Sequence, residues 1–313
     1  MSLRPDLLAH ALDDRRMHLT VMPTEACNFR CTYCYEDFAL GRMEERVVLA
    51  LLRFLDRRLP NTERVDLSWF GGEPLLAADV IRRVLRRARE HAHVELRSDI
   101  TTNAWKLSRA LCEELVDLGI SSWQISFDGP KEVHDRRRMR LGGQGTFDRV
   151  WRNVTALRAV ERDFDVRLRV HADKENLAEL PRFLEQCEAA FGGDPRFRLF
   201  LRPLSRLGGP NDAAIAVLED ERDAEALACA REEARAGGLA VLEPNFEDAV
   251  CHAAWGHSFV VRSNGRLNKC TVALAHPAND VGCLNDDGTL TIDAAKTRPW
   301  LRGLASGDAL ECL

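Results

Sequence analysis

The chain has 313 residues, 45% of them hydrophobic and 30% charged, with a formal net charge of −5 at pH 7. That is enough chain for one large core plus a smaller module, and the acidic balance argues against nucleic acid as the main partner. No apolar run approaches the roughly 20 residues needed to cross a bilayer, and no hydrophobic signal sequence opens the chain, whose first ten residues include Arg4 and Asp6. A cytoplasmic enzyme without a membrane partner is therefore expected, and its ten cysteines read as metal ligands and core residues instead of a disulfide framework.

In chain order, short β-branched runs alternate with stretches of helical period. Strands are expected over 18–22, 65–70, 94–101, 123–127, 166–172 and 196–201, and helices over 44–58, 77–91, 106–118, 146–160 and 176–191. The fourth helix places Phe147, Val150, Trp151, Val154, Leu157 and Val160 on one face, the spacing of a stripe packed on a sheet. Alternating strand and helix implies parallel strands joined by right-handed crossovers. The run Leu207-Gly208-Gly209-Pro210-Asn211 marks a boundary. The expected organisation is an N-terminal segment over 1–17, an α/β domain with a parallel sheet over 18–206, a linker and helix over 207–240 and a C-terminal module over 241–313. In that module 258–261 and 266–269 read as a β-hairpin with Asn264-Gly265 at its turn.

Cys27, Cys31 and Cys34, spaced C-x3-C-x2-C, follow the first strand. Three thiolates on one tight loop hold three irons of a four-iron, four-sulfur (4Fe-4S) cluster and leave the fourth iron open, which a catalytic site needs. Zinc is the alternative, but it wants four tetrahedral ligands and no fourth Cys or His lies near this triplet.

The surroundings of these cysteines resemble the radical S-adenosylmethionine (SAM) enzymes, whose fold is a partial (β/α)6 TIM-like barrel. The resemblance implies that SAM chelates the open iron and, on one-electron reduction, yields a 5′-deoxyadenosyl radical. It also implies that Tyr33 lies against the adenine. Gly71-Gly72-Glu73-Pro74, after the second strand, is similar to the family's GGEP segment, with backbone close to the methionine moiety and Glu73 on its ammonium. Standing alone, Glu73 would read as a turn acid before a Pro-initiated helix. Thr102-Asn103 resembles TNG, with Ala104 where glycine is usual, so Asn103 also reads as a cap of the next helix. Ser126-Phe127-Asp128-Gly129-Pro130 followed by His134-Asp135 and Arg138 resembles the S-x-D-G-P…H-D-x-x-R segment of peptide- and protein-modifying members. By that resemblance Ser126 and Arg138 contact SAM, a guanidinium matching a carboxylate bidentately. Arg169 alternates with apolar neighbours and points into the barrel, toward SAM or an internal carboxylate.

Cys251, Gly265 and Cys270 form a C-x13-G-x4-C pattern similar to the start of the SPASM module, which binds auxiliary 4Fe-4S clusters. Cys312 matches the first residue of that module's later cysteine stretch, which the sequence does not continue, so the module reads as incomplete or twitch-like. Cys283 is a further ligand candidate. His252, His257 and His276 read as structural or surface histidines, and Cys112, Cys187 and Cys229 as core residues.

The resemblance implies a radical SAM oxidoreductase that matures a ribosomally made precursor peptide or a protein substrate. Its partners would be an electron donor such as flavodoxin or ferredoxin and a separate leader-peptide-binding protein, since only about 17 residues precede the first strand. The alternatives are a formylglycine-forming sulfatase maturase, a small-molecule radical SAM enzyme, and a non-catalytic iron–sulfur carrier. Maturases carry a proton-accepting aspartate directly after the cysteine matching Cys270; here Thr271 stands there, a poor general base, leaving Asp280 or Glu247 to substitute.

Overall fold

The computed structural model describes residues 9, 11–243 and 251–302; Cys312 and Glu247 lie outside them. The strands are β1 (Arg16–Val21), β2 (Phe29–Cys31), β3 (Arg64–Trp69), β4 (Glu95–Thr102), β5 (Ile120–Phe127), β6 (Arg138–Arg140), β7 (Asp165–Ala172), β8 (Phe197–Pro203), β9 (Ala240–Val241), β10 (Ser258–Val261), β11 (Arg266–Asn268), β12 (Gly282–Leu284) and β13 (Leu290–Ile292). All six strands expected from the sequence form, as β1, β3, β4, β5, β7 and β8. The chain divides into two compact units, one of Met1–Ala26, Phe38–Asp99 and Asn245–Leu313, the other of Cys27–Asp37 and Ile100–Pro244.

In the first unit the strand order is β13-β12-β11-β10-β1-β3-β4. β1 lies parallel to both β3 and β10, with His18 opposite Asp66 on one side and Ser258 on the other. The hairpin read from Asn264-Gly265 thus extends the parallel sheet beside β1, which the sequence did not indicate. Its turn is a three-residue loop in which Gly265 takes φ 84° and donates to the Arg262 carbonyl at 2.9 Å. Asn264 keeps an ordinary negative φ, so this is a type I turn closed by a glycine bulge and not a two-residue Asn-Gly turn. The helices Glu45–Arg58 and Ala78–Arg89 bury Leu51, Leu55, Val80, Ile81, Val84 and Leu85.

In the second unit β5, β7, β8 and β9 run parallel, and β2 pairs antiparallel with β6. β7 shows why: Val166, Leu168, Val170 and Ala172 are buried on one face, while Arg167, Arg169 and His171 occupy the other. The helix expected over 146–160 runs from Phe147 to Ala156 and tightens into a 3-10 turn over Leu157–Ala159. The helix expected from 106 begins at Arg109, because the Ser108 hydroxyl caps it by accepting from Leu111 N at 3.1 Å. Cys112 and Cys187 are core residues as expected. Cys229 is exposed instead, because the helix Glu221–Ala236 buries Leu227, Ala230 and Ala234 and leaves position 229 off that stripe.

Candidate functional site

The cysteine loop belongs to the second unit. Cys27, Cys31 and Cys34 are all half-buried; the Phe29 backbone N–H donates to Cys27 Sγ at 3.3 Å, and Cys31 sits on β2 opposite Arg138 on β6. Burial pushes the Cys31 thiol up and the Cys34 thiol up to about 11, so metal binding has to displace their protons. Among the described residues no three His, Cys, Asp or Glu side chains gather around a single ion.

Beneath the loop lies a buried polar knot. Tyr33 Oη donates to Asp128 Oδ1 at 2.8 Å and accepts from Arg138 Nη1 at 2.7 Å, while its ring meets the edge of His171 at 5.2 Å and carries Arg137 over its face. Burial alone would raise the Asp128 pKa, but the His171 hydrogen bond and the Arg138 and Arg137 guanidiniums hold it well below the usual carboxylate range. Tyr33, expected against adenine, therefore also fixes Arg138. The His134-Asp135 pair is scaffold. His134 Nε2 lies 3.1 Å from Thr146 Oγ1, and that hydroxyl donates to the Arg138 carbonyl, so Nε2 carries the proton. Asp135 Oδ1 accepts from Thr146 N and Phe147 N at 2.6 and 2.8 Å, capping the helix Phe147–Ala156.

The run Arg136-Arg137-Arg138 splits three ways. Arg136 is exposed, Arg137 grips Asp173 through both Nη atoms at 3.1 and 2.6 Å, and Arg138 keeps a buried Nε with no hydrogen-bond partner. Arg169 is the same case: its Nε is buried and unpartnered, and no ion pair within the described residues satisfies it. It lies in register with Ser126 across β5 and β7, so the two share a face at the carboxyl end of the sheet. Of the two readings for Arg169, the internal salt bridge is not made.

Asn103 does not cap a helix. Its Nδ2 donates to Asn28 Oδ1 at 2.9 Å and lies 3.9 Å from Cys27 Sγ, and its Oδ1 accepts from Trp105 N at 3.0 Å. Ala104, where the family carries glycine, is fully buried at φ 58°, the left-handed conformation that glycine adopts without strain.

In the first unit Gly71 and Gly72 take φ 87° and 34°. A Cβ on Gly72 would lie 2.3 Å from the Ala26 carbonyl oxygen, which itself accepts from Glu73 N at 3.0 Å. The GGEP turn is therefore pressed against the residue before Cys27. Glu73 is fully buried, and its Oε1 caps the 3-10 turn Pro74–Ala77 by accepting from Leu75 N at 3.0 Å. Glu25 was not identified from the sequence. Its buried carboxylate accepts from Ser263 N at 3.1 Å and Ser263 Oγ at 2.9 Å and pairs with Arg262, fastening the strand end before Cys27 to the β10–β11 turn.

At the C-terminal cysteines, Val272 N donates to Cys270 Sγ at 3.3 Å, the same two-residue N–H to sulfur contact seen at Cys27. Asn279, also missed, closes that loop: its Oδ1 accepts from Lys269 N and Cys270 N at 2.9 Å, and its Nδ2 donates to the Cys270 and Ala273 carbonyls at 2.8 Å. Cys251 is half-buried ahead of a 3-10 turn. Cys283 lies in β12, opposite Arg266 and Thr291, with its thiol 3.6 Å from Asn285 Oδ1. Asp280, a substitute base for the maturase reading, is engaged by Arg266.

Three half-buried thiols on one short loop and buried arginine donors left unpartnered in the same unit fit an iron–sulfur cluster with a carboxylate-bearing ligand. Among curated proteins, the chain is 26% identical to the Fe-coproporphyrin III synthase of Methanosarcina barkeri over 59% of its length, covering 44% of that protein. It is 26% identical to the GTP 3′,8-cyclase of Photorhabdus laumondii, covering 60% of each. With the serine-type anaerobic sulfatase-maturating enzyme of Klebsiella aerogenes the identity is 25%, over 49% of this chain and 40% of that protein. The chain thus spans about half the length of the curated relatives it matches. Among solved structures, anSMEcpe with bound AdoMet and Cp18Cys peptide superposes with a TM-score of 0.70 at 17% identity, over 92% of this chain and 82% of that one. Streptococcus suis SuiB bound to precursor peptide SuiA gives 0.65 at 17% identity, over 96% and 69%. The shared fold is the partial (β/α)6 barrel. Residues 21–187, more than half of the chain, match the radical SAM superfamily, and the chain belongs to it.

Proposed function

We propose that this protein is a radical SAM enzyme acting on a peptide or protein, most specifically one that crosslinks or otherwise oxidatively matures a ribosomally made peptide. The observation that carries the reading is the likeness of fold to anSMEcpe and SuiB over 92% and 96% of the chain, well beyond the superfamily match at 21–187. Both were crystallised with a peptide. The matches to the coproporphyrin synthase and the cyclase cover 59% and 60% of the chain.

In this reading Cys27, Cys31 and Cys34 would hold the catalytic cluster, which together with SAM would supply the chemistry of hydrogen-atom abstraction. Arg138, Arg169 and Ser126 receive the methionine carboxylate, Glu73 the ammonium, and Gly71 and Gly72 let backbone approach. Tyr33 and Asp128 hold Arg138 in place, so its fork need not be ordered on binding. Cys251 and Cys270 are ligands to an auxiliary cluster, supported by the N–H to sulfur contact at Cys270, which repeats the one at Cys27. Thr271 and the Arg266-engaged Asp280 speak against sulfatase maturation.

The deciding experiment is anaerobic reconstitution followed by dithionite-driven 5′-deoxyadenosine formation, wild type beside Cys31→Ala. Wild type alone should produce the nucleoside. Nucleoside from neither, at full iron content, would make the protein a carrier. Co-production with a candidate precursor peptide should lower the peptide mass by about two hydrogens per crosslink, the loss required when two bonds to hydrogen become one new bond.

A further inference from the structure

Trp105, in the second unit, carries arginine guanidiniums at 4.8 and 4.4 Å from its ring centroid, those of Arg140 and Arg149. Arg152 stands one helical turn beyond Arg149 on the same face. None of the three arginines has a side-chain hydrogen bond or ion pair among the described residues, and all three are exposed. The neighbouring acids are engaged elsewhere, Asp135 as a helix cap and Asp148 by Lys131. Beside Arg140 lies Leu141, 67% exposed, the most exposed large hydrophobic side chain among the described residues. A chain of net charge −5 thus sets two arginines over one aromatic, a third one helical turn along, and an exposed leucine next to the first.

This face is coupled to the cysteine loop. Arg140 is the register partner of Phe29 across β6 and β2, and the Trp105 and Phe29 rings meet at 6.0 Å. Phe29 lies between Cys27 and Cys31, and its N–H donates to Cys27 Sγ. A continuous aromatic contact therefore leads from a cationic surface to a cluster ligand.

We propose that the Trp105–Arg140–Leu141–Arg149–Arg152 face docks an acidic one-electron carrier protein of the flavodoxin or ferredoxin class. The proposal rests on the radical SAM reading. The carrier loses one electron, the group held by Cys27, Cys31 and Cys34 gains it, and no bond or proton is exchanged in that step. Small, charged surfaces with one apolar anchor suit such transient encounters, whose rates depend on salt. An acidic substrate peptide is the competing occupant, but it has no use for an aromatic route to a cysteine ligand.

The test uses full-length Arg140→Glu/Arg149→Glu protein and a purified flavodoxin kept reduced by NADPH and its reductase. Dithionite-driven 5′-deoxyadenosine formation should stay within about twofold of wild type, while flavodoxin-driven formation and flavodoxin affinity by calorimetry should each fall by about tenfold or more. Raising the salt should weaken wild-type affinity in the same direction. A double Arg→Gln variant with an unchanged melting temperature should show an intermediate loss, which guards against misfolding. Unaltered flavodoxin affinity in the charge-reversed protein would overturn the proposal. So would loss of affinity for an acidic peptide with flavodoxin binding intact. Failure of the dithionite arm in wild type would overturn the radical SAM reading instead, and the calorimetry would still decide the docking face.

Discussion

Gly72→Ala is the sharpest probe of how the glycine turn packs on the Ala26 backbone. The added Cβ would start 2.3 Å from the Ala26 oxygen and 2.6 Å from its carbon. Reaching even a 3.0 Å contact requires that oxygen to withdraw by about 0.7 Å (3.0 − 2.3), and it is the acceptor for Glu73 N at 3.0 Å. Losing that bond costs about 1 kcal/mol, and alanine at positive φ costs about 1–2 kcal/mol more. The sum, about 2–3 kcal/mol, should lower the melting temperature of the metal-free protein by roughly 4–12 °C. The displaced carbonyl immediately precedes Cys27, so iron and sulfide bound after anaerobic reconstitution should fall as well. Gly41→Ala is the control, since a Cβ there meets nothing within 4 Å and its φ is not positive. A Gly72→Ala protein that melts and loads iron like Gly41→Ala would refute the claim that this turn fixes the Ala26 carbonyl.

Glu25→Gln should destabilise the protein by about 2 kcal/mol, because an amide N–H₂ then faces the Arg262 guanidinium in a buried site; denaturant titration of a double-mutant cycle with Arg262→Met should show coupling above about 1 kcal/mol. Ala104→Gly should change stability by less than about 1 kcal/mol, since relief of the positive φ is offset by chain entropy and one lost buried methyl, whereas Ala104→Val should cost about 2 kcal/mol or more by urea unfolding. Burial pulls His134 down to about 3 and His171 down to about 4. Both are neutral when folded, while the unfolded chain binds their protons below about 6.5. Their stability contribution is therefore complete above that pH and is lost on acidification toward 4, at about 1.4 kcal/mol per pH unit for each. In unfolding titrations between pH 7 and 5, His134→Gln, which can still donate to Thr146, should flatten the dependence by one such increment; an unaltered slope would show that His134 is not buried neutral.

What the sequence disclosed is what chain-local chemistry encodes. Six barrel strands, the cysteine triplet and the glycine turn are each specified within about ten residues by alternation, spacing or backbone freedom. What it concealed joins distant segments. Glu25 and Ser263 are 238 positions apart, and nothing near either announces the pair. The pairing of β10 with β1 left no signal because a parallel partner shares neither a turn nor a period with its neighbour. Asn279 looked like any turn asparagine, yet it uses two acceptor and two donor contacts to close the Cys270 loop. Cys229 was misplaced because a helix of low amphipathicity gives little indication of which face is buried.

The same logic separates ligand-facing residues from scaffold within one motif. A buried polar atom without a partner costs free energy, so folding tolerates it where something else completes the bond. Applied to S-x-D-G-P…H-D-x-x-R, the rule assigns roles that the letters alone do not. Asp128 is surrounded by Tyr33, His171 and Arg137; His134 is held by Thr146; Asp135 is consumed by a helix end; Arg137 is closed on Asp173. Asp128 Oδ2 and His134 Nδ1 are also buried without a hydrogen-bond partner, but Arg138 is the motif's cation that keeps an unsatisfied donor while being fixed by Tyr33, and Arg169 offers a second on the neighbouring strand. Among three consecutive arginines, ambiguous by spacing, Arg138 is the buried one whose guanidinium still has a bond to make, which supports the proposal that it meets the ligand.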